Sequence, residues 1–453
     1  MASETTKTPR VSRGTFIKGA AAATVAVAAT GALTEGVGAQ GRIAAPYVKR
    51  SPSGDLTVWT IGPFPPVQIA AFQKAYPNVK VTQVTKPLLS QTPTEAAALI
   101  TGVSVPDAIN FLEDEFLGKY APALYDVGPF VEPYSGNIAP FKLAVTKQQG
   151  RVVSIPNDVD PAFLLYRADI LTQAGVDVNG IRTYDDLIDA AKRVKAKVPS
   201  CATPLYFNQN SDLAVLTLEG LTWQQHSGGM ADAQGNLRLD APYYTNAYRY
   251  FEKAARAGVA VTAPFGPTTF NLWNKGQCCF MHFAVWWMTY ASAGLKPIWR
   301  KLALAKQPIF KQGDSPYSMI GGSGIVVPAK AKRPDLGALF GQFVLLDPRG
   351  WQAGQTSGTC APQLPASSKE WQYTAALQSA QNCTWLSPST RQHEMMVYAA
   401  QHAPSTYRYP SWYGQTYPYI APTIVDTLTG KMSAKDAQAR AYHDVLTKVV
   451  RRS

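Results

Sequence analysis

The chain has 453 residues, 46% of them hydrophobic, enough to bury a sizeable core and more than one typical domain needs, so two lobes are expected. Charged residues make up 16% and aromatic residues 11%, a balance that excludes a disordered chain and leaves aromatic surface in surplus. The net charge of +13 comes from Lys and Arg scattered along the chain with no basic arm and no nucleic-acid module, so nucleic acid is excluded as a partner and the charge reads as a solvated surface.

The N-terminus carries a basic stretch, an alanine-rich apolar run and then small residues, in "SRGTFIKGAAAATVAVAATGAL" followed by "GVGAQ". That order describes an export signal over residues 1–39, too short and too weakly apolar between Ala20 and Leu33 for a membrane span. Ser12-Arg13-Gly14-Thr15-Phe16-Ile17-Lys18 resembles the twin-arginine motif with Gly14 where the second arginine would stand, which leaves the twin-arginine and general secretory routes both open. Residues 40–54, rich in Gly, Pro and basic side chains, read as a linker, and the fold is expected to begin at Asp55.

From there strands and helices alternate. "LTVWTI" is β-rich, "PVQIAAFQKAYP" repeats apolar residues at helical spacing, and "NVKVTQV" returns to strand alternation, which makes a β-α-β unit. "TEAAALITG" predicts a helix, "PDAINFL" a strand, and "YDDLIDAAKRVKAK" an amphipathic helix capped by Thr183. Further helices are expected in "YTNAYRYFEKAARAG", "DLGALFGQFVLL" and "SAKDAQARAYHDVLTKVV". This alternation predicts an α/β protein with open sheets, which bind ligands at the carboxyl ends of their strands.

Catalytic signatures are missing. The five histidines, His226, His282, His393, His402 and His443, show no HExxH pattern, and no Walker loop, GxGxxG spacing or GxSxG elbow occurs, so no cofactor or metal is called for. The five cysteines contain no CxxC; Cys360 and Cys383 are the expected bridge, while Cys278 and Cys279 lie in an apolar run suited to buried free thiols, as small core fillers. Carboxylates remain: Glu113, Asp114 and Glu115 follow the strand "AINFL", and Asp158 and Asp160 follow "VVSIP". They are either solvated loop acids or a site, and a pair such as Asp114 and Asp160 could serve a secreted carbohydrate-active enzyme as acid and base.

Six segments in order resemble the extracellular solute-binding proteins of ABC importers, in the maltose-binding-protein class, over about residues 55–445. They are "PDAINFLEDEFLGKYAPAL", "VSIPNDVDPAFLLYRADILTQAGVD", "RTYDDLIDAAKRVKAK", "WNKGQCCFMHFAVW", "IGGSGIVVPAKAKRPDLGALFGQFVLLDPRGW" and "LTGKMSAKDAQARAYHDVL". The resemblance implies a two-lobed periplasmic-binding-protein type II fold, each lobe an open sheet flanked by helices, joined by a hinge. Crossings near Pro156, Pro316 and Asp347 would divide the chain into an N-terminal lobe of 55–156 plus 316–347 and a C-terminal lobe of 157–315 plus 348–453. It also implies a monomeric receptor that captures a sugar in the periplasm or at the outer face of the membrane and delivers it to a permease. A polyamine or other solute is the alternative cargo, since an acidic, aromatic cleft also suits a cation.

Carried over by position, Asp114 and Asp160 accept sugar hydroxyls and Trp286 stacks on a sugar ring, with Trp287 turned into the core. Glu115, Asp158 and Gly322 are further ligand candidates, and Phe64, Trp223, Trp412 and Tyr413 are aromatic ones. "HFAV" stands where the family has a glycine-containing turn before the tryptophan, and "TIGPFPPV" has no acid or lysine where some sugar binders carry one.

The export reading is tested in the native host. Amino-terminal sequencing of the secreted fraction is expected to find a chain starting near Gln40; a full-length chain retained in the cytoplasm contradicts it.

Overall fold

In a computed structural model the described residues are 51–452 apart from 88–92, 285, 292, 356–363, 369–370, 372–385, 388–389 and 391. The export signal, most of the linker, and the pair Cys360 and Cys383 lie outside the described residues. Cys201, Cys278 and Cys279 are free and buried, as the apolar run around the latter two predicts.

Ten strands form two five-stranded sheets. Numbered along the chain, they are β1 (Gly54–Thr60), β2 (Val79–Thr85), β3 (Ala108–Glu113), β4 (Ile155–Pro156), β5 (Ala162–Arg167), β6 (Leu205–Asn208), β7 (Ala260–Ala263), β8 (Phe280–Ala284), β9 (Leu302–Ala305) and β10 (Ser323–Val326). The first sheet has the order β2-β1-β3-β10-β4 and the second β7-β6-β8-β5-β9. In the first, β1 pairs parallel with β2 and β3, while β10, which arrives from the second sheet, runs antiparallel to β3 and β4. In the second, β6 pairs parallel with β7 and β8, and β5 runs antiparallel to β8 and β9. Each sheet therefore takes one strand that reverses the local direction, delivered by a segment that has crossed between sheets.

Local chemistry accounts for the elements. In β1 the apolar residues Leu56 and Val58 alternate with partly exposed neighbours, so one face enters the core. The helix Tyr184–Lys197 starts at Thr183, whose side chain accepts from the Asp186 amide while the Asp186 carboxylate accepts from the Thr183 amide, a capping box. The helix Pro334–Leu345 lies so close to β3 that a Cβ on Gly337 would sit 1.9 Å from the carbonyl oxygen of Asp107, so only glycine permits this approach. One core lies against the first sheet, around Leu56, Phe72, Ile155 and Phe340. The other fills the second sheet's layers and reaches across to Phe116, Leu117 and Phe141 of the first half.

The chain passes between the sheets three times. From β4 it runs through Asp158–Val159 into β5, and from β9 it returns through residues 306–322 into β10. A third passage is expected near Asp347. The helix Pro348–Gln355 packs on Pro66–Ala75 and on Pro334–Leu345, with Trp351 buried and Gly350 tight against the Phe343 carbonyl. Leu364–Pro365 then pairs antiparallel with Asp158–Val159, and Ser367 bridges Ile138. Among the described residues further on, Leu386 bridges Leu302 of the second sheet. Buried Trp351 and the close approach of Gly350 thus hold the helix Pro348–Gln355 on the first sheet's layer.

Candidate ligand-binding site

The crossing segment from Met319 to Ser323 organises the junction between the sheets. Ile320 donates its amide to the Asp160 carbonyl at 3.0 Å and accepts the Trp286 Nε1–H at 2.7 Å. Gly322 accepts the Asp114 amide at 3.0 Å. Ser323 donates its amide to Asp158 Oδ1 at 2.7 Å and accepts at its carbonyl from Lys142 Nζ at 2.8 Å. Two glycines make this density possible. Gly321 and Gly322 have φ of 88° and 119°, and a Cβ on Gly322 would lie 2.4 Å from Asp114 Oδ2 and 3.0 Å from Lys142 Nζ. A Cβ on Gly321 would lie 3.0 Å from Trp286 Nε1.

Four of the acids taken from the sequence come together here. Asp114 and Glu115 open the turn after β3, and Asp158 and Asp160 lie on the passage from β4 to β5; all four are buried. Lys142, on the short helix Pro140–Val145, is 1% exposed and places Nζ 2.5 Å from Asp114 Oδ2 and 3.8 Å from Asp158 Oδ1. Glu115 Oε1 accepts from the Tyr417 hydroxyl at 3.3 Å. Asp114 Oδ1, Glu115 Oε2 and Asp160 Oδ1 are buried with no protein partner.

Burial dominates the electrostatics. It pushes the Asp114 carboxyl up to about 6 against the pull of Lys142, and pushes Glu115 up to about 8 with help from the charge of Glu113. Asp158 is raised by burial although Lys142 and Ser323 oppose it, and Asp160 is raised well above the ordinary range by burial and then by the charge of Asp158.

The aromatic candidates separate. Trp286 follows β8 and is half-buried, edge-on to Phe283 with centroids 5.2 Å apart, its ring fixed by the bond to Ile320. Trp287 is buried against Phe265 and Trp273. Tyr413 is fully buried and edge-on to Tyr409 and Tyr417, which ties it to the Glu115 side of the junction. Trp412 is 7% exposed and belongs to the core cluster. Trp223 stacks on Tyr407 at 4.3 Å and donates Nε1–H to the Pro404 carbonyl, which is core packing. Phe64 packs edge-on to Phe340 in the first sheet's core and is not brought to the acids.

Sequence reasoning missed Lys142, Glu219, Tyr409 and Tyr417. Glu219 is 1% exposed on the helix Ser211–Trp223, accepts from the Tyr244 hydroxyl at 2.8 Å, and is pushed up to about 8 by burial. The available signal was a single acid inside "LAVLTLEGLTW", an otherwise uncharged run. Among the described residues no group of three or more His, Cys, Asp or Glu is arranged to hold a metal ion, and no helix is long and apolar enough to cross a membrane.

Two open α/β sheets of this order, joined by crossing segments that meet in a polar junction, define a two-lobed binding-protein fold. A profile of the family described as bacterial extracellular solute-binding protein matches residues 59–348, and the chain belongs to that family. An arabinooligosaccharide-binding protein of Bacillus subtilis is 25% identical over 312 residues, 65% of this chain and 70% of that protein. Its counterpart in Halalkalibacterium halodurans is 21% identical, over 60% of this chain and 62% of that protein. Maltose-bound MalE3 of T. maritima superposes with a TM-score of 0.67 at 17% identity, covering 86% of this chain and 99% of that one. The galacto-N-biose-/lacto-N-biose I-binding protein of Bifidobacterium longum superposes at 0.68 and 16%, covering 87% and 96%.

The buried acids set a pH dependence. Asp114, Glu115 and Glu219 have folded-state values above their ordinary 3.8, 4.5 and 4.5, so their stabilising contribution is complete below about pH 4 and is lost as pH rises through about 6 for Asp114 and about 8 for the glutamates. The ligand-free protein is expected to melt at a higher temperature at pH 5 than at pH 8, with a smaller gap in Glu219→Gln. A melting temperature that climbs from pH 5 to pH 8 contradicts this assignment.

Proposed function

We propose that the protein is a monomeric, non-catalytic receptor that captures a saccharide outside the cytoplasmic membrane and delivers it to the permease of an ABC importer. The observation that carries this reading is the meeting, at one crossing segment between two sheets, of buried carboxylates with unpartnered oxygens and a half-buried indole. Sugar rings have apolar C–H faces and polar rims, so a flat aromatic and carboxylates at the edge satisfy both halves. In this reading Asp114 Oδ1 and Asp160 Oδ1 accept sugar hydroxyls. Trp286 offers a ring face, and Tyr413 and Glu115 line the far side.

Relatives named for arabinooligosaccharide and lactose binding support a saccharide over a polyamine. The family description, extracellular solute-binding, fits the export signal of residues 1–39, whose motif around Arg13 leaves the twin-arginine and general secretory routes both open. The crossing segments form the hinge, with the first lobe built on β1–β4 and β10 and the second on β5–β9. Residues 348–367 go with the first lobe in this division, on the packing of the helix Pro348–Gln355.

A thermal-shift screen over mono- and oligosaccharides is expected to raise the melting temperature for a subset, since a ligand that binds only the folded state stabilises it. For the best of them, Trp286→Ala is expected to cost about 2–4 kcal/mol of binding, roughly thirty-fold to a thousand-fold in affinity, with the ligand-free melting temperature held. Unchanged affinity refutes the stacking role, and a collapse of ligand-free stability returns Trp286 to the core.

A further inference from the structure

We propose that the saccharide this cleft takes carries a protonated amine, as an amino sugar or an amine-bearing oligosaccharide does. The inference rests on the saccharide reading and adds the charge of the ligand. It stands on the partners of the buried charges. Lys142 and Arg167 are the buried Lys and Arg side chains among the described residues. Arg167 is taken up by Asp169 and the Trp273 carbonyl, at the opposite end of strand β5 from Asp160. Lys142 is taken up by Asp114, Asp158 and the Ser323 carbonyl. Glu115 and Glu219 are buried with no cation, Asp160 feels Lys142 without an ion pair to it, and each of the three keeps one oxygen without a protein partner.

Glu115 and Asp160 act on each other at the junction, and Glu219 belongs to a helix that packs against it. Gly220, beside Glu219, approaches so closely that a Cβ there would lie 2.6 Å from Ile320 Cδ1, and the Ile320 amide is bonded to the Asp160 carbonyl. Glu115 is held by Tyr417, whose ring meets Tyr413, which in turn meets Tyr409. Between them the fully buried Tyr413 keeps its hydroxyl without a partner, an independent sign that a polar group is received there. The charges of Glu219 and Glu115 both raise Tyr413, and those of Glu115, Asp114, Glu219 and Asp160 all raise Tyr409, so the two rings sit among the acids.

A carboxylate removed from water must find a cation or take up a proton. A neutral saccharide brings hydroxyl donors and leaves the acids to be neutralised by protons alone. An ammonium group on the ring brings three donors and the missing charge together.

The test compares matched probes on the full protein at pH 7.5 by calorimetry: lactose with lactosamine, and the glucosamine trimer with its fully N-acetylated form. At least one amine-bearing saccharide is expected to bind about tenfold or more tighter than its neutral partner. Glu219→Gln, which keeps an acceptor for Tyr244, is expected to narrow that ratio, as is Asp160→Asn. A second readout needs no variant: titration in two buffers of different ionisation enthalpy is expected to show proton release with the amine and none with the neutral partner. Neutral saccharides binding as tightly as amines, or binding where no amine-bearing saccharide binds, overturns the proposal and leaves the saccharide receptor standing. Binding of spermidine or putrescine with no saccharide bound overturns both.

Discussion

The site depends on a run of five residues, Met319 to Ser323, that crosses from one sheet to the other with its peptide groups exposed to both. Asp114, Asp158, Asp160, Lys142 and Trp286 come from four separate places in the chain, and each is bonded to this run through backbone or side chain. Because the run continues directly into β10 of the first sheet, its register there sets the height of every group at the junction. The two glycines allow acids, lysine and indole to close in on the backbone, and no side chain of this run separates Asp114 from Lys142.

Electrostatics gives the junction its second property. Burial outweighs the attraction of Lys142 at Asp114, Asp158 and Asp160 and raises Glu115 and Glu219 with no lysine acting on them, so the protein alone holds these carboxyls closer to their neutral form. Such groups are costly to bury and are retained where they are used. Asp158 is satisfied by Ser323 and near Lys142, which suits fastening the two crossing segments together. Asp114, Glu115, Asp160 and Glu219 keep unpartnered oxygens, which suits reception of a ligand. In the proposed receptor, fastening and recognition would be neighbouring tasks of one cluster, and movement of the crossing segments would change both.

Much of this was legible in the residues. The alternation in "LTVWTI" and "PDAINFL" located β1 and β3, Thr183 announced the helix Tyr184–Lys197, and the acids stood out because they follow strands directly. Other parts were hidden for physical reasons. Lys142 looks like any helix lysine, and only the fold reveals that its face turns inward onto Asp114. Glu219 sits on a helix with nearly every residue buried, so no amphipathic stripe marked its direction. Phe64 and Trp223 have the residue type of a cleft aromatic, yet type does not tell a ring that meets ligand from one that meets Phe340 or Tyr407. The polar helix Pro348–Gln355 gives no hint in sequence that Trp351 is buried and Gly350 lies against Phe343.

The measurement that bears most directly on the account is the affinity of Gly322→Ala for the saccharide giving the largest thermal shift in the natural protein. A Cβ there would fall 2.4 Å from Asp114 Oδ2, so Asp114 and Lys142 must move apart, at a position whose φ of 119° strains any side chain. The account predicts that the variant stays folded by circular dichroism, its melting temperature modestly lower, while affinity falls by more than about tenfold, equivalent to about 1.4 kcal/mol. A folded Gly322→Ala that binds as tightly as the natural protein would contradict it.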